Sequence, residues 1–165
     1  MKVIVDSSPL IFLSKLNHLD LLNDLFEEVF VTNSVLEEVF EGLSQGHQDA
    51  LLVKKNLEQN RIKLLKVTKK LVLDHLGTGE KSVIEAAVEH NITSVIFDDL
   101  SAIKTAKYFG LEIVSTPFLL LKSLTLGKLK KVDFIDSVNK LICDFDYRIS
   151  PIIYKRILDE AHNYK

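Results

Sequence analysis

Acidic residues recur in this chain where apolar segments stop, and carboxylates gathered at such points can hold a divalent cation. Asp6 directly follows the β-branched run Val3, Ile4, Val5 and precedes Ser7, Ser8 and Pro9. Glu37 and Glu38 lie inside V-L-E-E-V, Glu80 closes the turn Gly77, Thr78, Gly79, and Asp98 with Asp99 ends the run from Ser94 to Phe97. Two charges about 4 Å apart repel by ~1 kcal/mol in water and ~4 kcal/mol at an effective dielectric of 20, so a cluster of carboxylates is costly without a counterion. Oxygen-only donors suit hard Mg²⁺ or Mn²⁺ better than zinc. Such an ion can activate water and neutralise charge on a phosphodiester under in-line attack. No Ser/His or Cys/His nucleophile stands out. Each acid also has a plainer use: Asp6 as a helix cap, Glu80 as an acid favoured by a helix N-terminus.

The elements that must position these acids follow from the pattern around them. Val3 to Val5 suits a strand buried on both faces, and Ser7, Ser8 and Pro9 open a helix with Leu10, Ile11, Leu13 and Leu16 as its apolar stripe. After a short apolar periodicity from Leu19 to Phe26, Val29 to Val31 reads as a second strand. The next helix is capped by Thr32, Asn33 or Ser34, and its core face is expected to be Leu36, Val39, Phe40 and Leu43. At about 100° per residue Glu38 lies beside Val35 and Glu37 beside Phe40, and periodicity leaves both open. Residues 42–49 read as a loop, leading to a helix through about Asn56 and then a strand over 62–67 that suits a sheet edge. The Gly77 turn opens a helix whose stripe is Val83, Ile84, Ala87 and Val88. Glu80 shares that buried face, whereas Lys81, Glu85 and Glu89 form the expected solvent face. Ser94 to Phe97 is a strand, followed by a helix through Phe109 with Ile103, Ala106 and the stem of Lys107 inward, then a strand over 111–114. A helix begun by Pro117 and ended by Gly127, and two more over 132–143 and 151–161, complete the chain.

Strands alternating with helices imply an α/β fold, a mainly parallel central sheet flanked by helices. Ligands of such sheets bind beyond the carboxyl ends of the strands, where Asp6, Asp98 and Asp99 should meet and Glu80 can join them. One domain over 1–165 is expected, with a C-terminal helical extension from about 131. The net charge of -2 gives no global attraction to phosphate, so nucleic-acid contacts must come from local lysines. Lys104 and Lys107, one and two turns into the helix after Asp99, are the first candidates, and Ser7 or Ser8 could hydrogen-bond a metal ligand or phosphate. The single cysteine, Cys143, excludes an intrachain disulfide and a Cys-rich zinc site. No apolar run reaches the ~20 residues of a membrane span and the start is unlike a signal peptide, so a cytoplasmic protein without membrane association is expected. The apolar content of the first helices and of the two C-terminal helices also suggests a homodimer, with Leu10, Phe12, Leu16 and Leu19 as candidates for its face.

At these residues the chain resembles the PIN-domain family of metal-dependent nucleases. The resemblance rests on V-I-V-D-S-S around Asp6, V-L-E-E-V around Glu38, G-T-G-E ending at Glu80, and V-I-F-D-D ending at Asp99. Y-F-G-L-E-I-V-S-T and R-I-S-P-I-I-Y further liken it to a helix-extended subgroup. The resemblance implies a three-layer α/β/α fold and an endoribonuclease using Mg²⁺ or Mn²⁺. It makes Asp6, Glu80 and one or both of Asp98 and Asp99 the metal ligands, with Glu38 rather than Glu37 as the remaining catalytic acid. It also implies RNA as substrate and an antitoxin protein as partner, since many members are toxins. Two other readings compete: a phosphoacceptor signalling domain using Asp6, Asp98 and Asp99, and a non-catalytic RNA-binding module of the same fold.

Overall fold

Three consecutive residues of the first strand, Val3, Ile4 and Val5, are wholly buried, as a strand covered on both faces requires. The structure is a computed structural model that describes residues 1–44 and 49–164. Its chain divides into two units, Met1–Ser115 and Thr116–Lys165. In the first unit the strands β1 (Lys2–Val5), β2 (Glu28–Thr32), β3 (Lys63–Leu65), β4 (Ser94–Ile96) and β5 (Glu112–Val114) form one sheet in the order β3-β2-β1-β4-β5. All four pairings are parallel. The helices are α1 (Ser7–Lys15), α2 (Leu21–Leu25), α3 (Asn33–Ser44), α4 (Asp49–Glu58), α5 (Thr78–His90) and α6 (Leu100–Tyr108). They flank the sheet in a three-layer α/β/α arrangement. The chain winds outward from β1 through β2 to β3, then returns to β4 on the other side of β1. The direction of winding reverses at β1, which opens a crevice between the ends of β1 and β4.

Packing rotates two helices from their expected facing. On α3 the buried residues are Val35 and Val39, while Leu36 and Phe40 are half-buried. The side chain of Leu43 lies outside the described residues. Because α3 packs against α1, α4 and α5, its inner direction falls between Val35 and Val39. That turn brings Glu38 inward and leaves Glu37 exposed. Of the expected loop over 42–49, residues 42–44 complete α3, Asp49 begins α4, and 45–48 lie outside the described residues. On α6 the inner residues are Ala102 and Ala106, and Lys107 is exposed instead of lying along the stripe. Leu10, Leu16 and Leu19, expected at a dimer face, are buried in the core of the single chain, and Phe12 is half-buried.

Glu85 is the clearest departure, for it is 1% exposed where a solvent face was expected. The segment after β3 runs back over α5 and is tied to it by carboxylates. Glu85 accepts from the Leu71 amide at 2.8 Å, with Lys70 Nζ 3.7 Å away. Glu89 accepts from the Thr68 and Lys69 amides, each at 2.8 Å, and from the Thr68 hydroxyl. Replacing Glu85 by Ala strands a backbone donor, so Glu85→Ala should destabilise the protein by about 1–3 kcal/mol. Glu85→Gln, which keeps an acceptor, should cost less. Urea unfolding of both measures the difference, and equal costs would show that the Leu71 bond contributes nothing.

In the second unit, α7 (Thr116–Thr125) packs with α8 (Lys131–Cys143) and α9 (Pro151–Asn163). The Ser150 hydroxyl caps α9 by accepting from the Ile153 amide at 3.3 Å. Lys131 Nζ donates to the carbonyls of His162 and Tyr164, both at 3.1 Å, fastening the start of α8 to the end of α9. No described helix is long and apolar enough to cross a membrane.

Candidate active site

β1 ends where its ladder with β4 runs out. Val5 pairs with Ile96, and the Asp6 amide still donates to the Ile96 carbonyl at 3.2 Å. Asp6 is thereby level with Phe97 and one residue from Asp98 along the adjacent strand. It occupies the N-cap position of α1, yet its side chain makes no capping hydrogen bond. The residue is 2% exposed, and Oδ1 has no hydrogen-bond partner among the described residues. A buried carboxylate oxygen left unsatisfied in this way costs free energy that a cap would have recovered. Burial pushes the Asp6 carboxyl up to about 8; the Ser7 amide pulls it down, and the charges of Glu38, Glu80 and Asp98 push it further up. Glu38, Glu80 and Asp98 therefore each lie within electrostatic reach of Asp6.

Glu38 reaches this edge from α3 and is held on both oxygens. Ser7 Oγ donates to Oε2 at 2.6 Å, the Gly79 amide donates to Oε1 at 2.8 Å, and Thr78 Oγ1 donates to Oε1 at 3.3 Å. The approach requires glycine. A Cβ on Gly79 would stand 2.5 and 2.6 Å from the two carboxylate oxygens. Behind the contact runs a buried hydroxyl chain. Ser82 Oγ donates to the Gly79 carbonyl at 2.7 Å, so its 2.6 Å partner Thr32 Oγ1 must be the donor to Ser82. Thr32 Oγ1 in turn accepts from the Val35 amide at 3.3 Å. The start of α5 is thus joined twice, to α3 through Glu38 and to the end of β2 through Thr32.

Glu80, half-buried at the start of α5, reaches back to accept from the Gly77 amide at 3.0 Å. Gly77 has no side chain to return the bond, so this is half of a capping box. Burial raises the Glu80 carboxyl above its ordinary range, the Gly77 amide lowers it, the charges of Asp99 and Glu38 raise it, and His75 lowers it. Asp98 is half-buried. Asp99 is exposed and caps α6, its Oδ1 accepting from the amides of Ser101 at 2.7 Å and Ala102 at 3.0 Å. The pair is thereby divided: Asp98 acts on Asp6, while Asp99 spends an oxygen on the helix and acts on Glu80. Lys104 and Lys107 are exposed on α6. Gly79, Thr78, Ser82 and His75 were not among the residues expected at the site. The Gly-Thr-Gly turn was a signal for the first two, but nothing local tells that a carboxylate from another helix must fit against Gly79.

Among the described residues no group of three or more His, Cys, Asp or Glu side chains converges to hold a metal ion. The acids are mostly engaged by amides and hydroxyls, and the unsatisfied oxygen of Asp6 is the exception.

A family model described as DUF3368, PIN domain, matches residues 2–163. No curated protein matches the chain. Among solved structures, a PilT N-terminus domain protein from the archaeon Sulfolobus solfataricus P2 is similar at 21% identity and a TM-score of 0.52, over 75% of this chain and 94% of that one. A domain of a functionally unknown protein from Methanocaldococcus jannaschii DSM 2661 aligns at 17% identity and a TM-score of 0.46, over 69% of this chain and 89% of that one. The parallel sheet in the order β3-β2-β1-β4-β5, the acids at its carboxyl edge and a family model spanning nearly every residue agree: the chain belongs to the PIN-domain family, whose members are generally nucleases.

Proposed function

We propose that the protein is a Mg²⁺- or Mn²⁺-dependent endoribonuclease. The observation that carries this reading is the buried, unpartnered Oδ1 of Asp6 beside three other acids at the crevice between β1 and β4. The donor set fits a hard cation. Mg²⁺ takes one or two carboxylates and completes its shell with water and phosphate oxygens, so a closed cage of three protein ligands is not required. Asp6 and Asp98 would hold the ion, with Glu80 and Asp99 completing the acid set. Bound there, the ion would lower the pKa of an attacking water and offset charge on the scissile phosphate.

The chain's own groups set the rest. Glu38 is a positioning acid that keeps Ser7 and the start of α5 in place. Ser7 gives its one hydroxyl proton to Glu38, so its oxygen remains an acceptor, suited to a water and not to a phosphate oxygen. Lys104 and Lys107 are the proposed phosphate contacts. A labelled RNA should be cut in Mn²⁺ or Mg²⁺ and remain intact in chelator, and Asp6→Asn should abolish cutting. Metal-independent cutting would overturn the reading. Incubation with a small phosphodonor should leave no stable acyl phosphate. A toxin role is part of the proposal: expression without an antitoxin should arrest growth, and expression of Asp6→Asn should not. So is a homodimer, supported by exposed Val132 on α8 and Ile152 on α9, on the C-terminal helices; sedimentation as a monomer at tens of micromolar, an order-of-magnitude choice for a stable interface, would remove it.

A further inference from the structure

Helix α6 reads LSAIKTAKY and contains no acid. Its inner side is Ala102 and Ala106, both fully buried. At about 100° per residue, Leu100, Lys104, Lys107 and Tyr108 share an arc of about 100° on the opposite side. Leu100 is 71% exposed and Tyr108 88%. Both lysines are exposed, and neither is ion-paired among the described residues. The Tyr108 ring stands edge-on to Phe109, with centroids 5.6 Å apart and planes at 85°, which orients it while leaving it open. Single exposed apolar residues are ordinary. Here two of them share one helix face with two unpaired cations, and that face begins one residue after Asp99, at the acid edge of the sheet.

We propose that this face of α6 is a docking track for an unpaired nucleic-acid strand, with Tyr108 and Leu100 receiving bases and Lys104 and Lys107 receiving phosphates. The proposal rests on the nuclease reading only for where the strand leads; binding itself needs no cleavage. Charge selects the occupant. A second copy docked two-fold on the same face would bring the lysines of both chains together, with no carboxylate on either helix to offset them. An unpaired strand offers phosphates and flat apolar rings at once, and base stacking on an aromatic side chain tolerates any sequence. A duplex hides the base faces in its own stack and leaves Tyr108 without a partner.

The test is fluorescence anisotropy of a labelled, unstructured 12-nucleotide RNA and of the same strand in a duplex, at several salt concentrations in chelator so that no cutting occurs. The single strand should bind more tightly than the duplex. Tyr108→Ala should weaken it about tenfold or more with the salt slope unchanged, and Tyr108→Phe should restore it. Lys104→Ala with Lys107→Ala should reduce the slope by about 1.4. Unchanged affinity in Tyr108→Ala, or equal binding of single strand and duplex, would overturn the track. So would Tyr108→Ala converting a dimer to a monomer in sedimentation with RNA affinity unaltered, because the face would then serve a protein contact. Failure of this proposal leaves metal-dependent cutting untouched, and a chain that binds RNA through α6 without cutting it would refute only the nuclease reading.

Discussion

In chelator, the melting temperature of the wild-type protein should fall as the pH rises from 5 to 8, and Asp6→Asn should remove most of that fall. The Asp6 carboxyl is pushed up from an ordinary 3.8 to about 8, chiefly by burial. Between these values the folded chain holds a proton that the unfolded chain has released. Stability is therefore fully present below the unfolded pKa and declines as the pH climbs toward about 8, by roughly 1.4 kcal/mol for each pH unit. For a chain of this size that amounts to a decline on the order of 10 °C across the window. Glu80, also raised, acts in the same direction. Glu28 and Glu89, both held below their ordinary value, act in the opposite direction, and their contributions are lost only as the pH falls below it. Asparagine carries no charge at any of these pH values and has nearly the shape of aspartate, so Asp6→Asn should be as stable as the wild type at pH 5 and more stable at pH 8. Mn²⁺ at pH 8 should raise the wild-type melting point and do so much less in the variant, since a ligand stabilises the state it binds. Equal metal-induced shifts in the two proteins would sink Asp6 as a ligand, whatever the substrate proves to be.

The position of Asp6 was legible because a buried parallel strand writes itself as a continuous apolar run, and a charge that ends the run lies at the ligand-binding edge. Asp98 and Asp99 end a run of the same kind, which places both at that edge and does not divide them. That division depends on which carboxylate the α6 amides capture, a matter of a residue's turn at the helix start. Glu38 and Glu37 were equivalent by periodicity because α3 has neighbours on several sides, and only their combined direction turns Glu38 inward. Glu85 was misplaced for a related reason. Its i, i+4 relation to Lys81 and Glu89 describes a helix surface, and a helix surface is solvent only if no other segment crosses it. The backbone of 68–71 does cross it, through hydrogen bonds spanning 14 to 21 residues that no local pattern encodes. Local physics thus reads the strand ends well, and the facing of helices poorly.

Gly79→Ala should reduce the proposed nuclease activity by about 100-fold or more and destabilise the fold by about 2–5 kcal/mol. The added methyl would stand within 2.7 Å of all three carboxylate atoms of Glu38. The backbone of α5 cannot yield without breaking the Ser82 bond to Gly79, so the flexible end of Glu38 must leave. Its departure forfeits the bonds from Ser7 and the Gly79 amide, worth about 1.5–3 kcal/mol each as hydrogen bonds to a charged group. Alanine in place of glycine in a helix returns up to ~1 kcal/mol of that. Activity has no such compensation, because displacing a positioning group by 1 Å can cost ~10²-fold in rate. Full activity in Gly79→Ala would mean that Glu38 only latches α3 to α5. The double variant Gly79→Ala with Glu38→Ala decides how the loss arises. If the methyl acts solely by expelling Glu38, the double variant should be no less active than Glu38→Ala alone, because the two changes remove one interaction. A further drop in the double variant would mean that Gly79 serves the site by another route, through the amides at the start of α5.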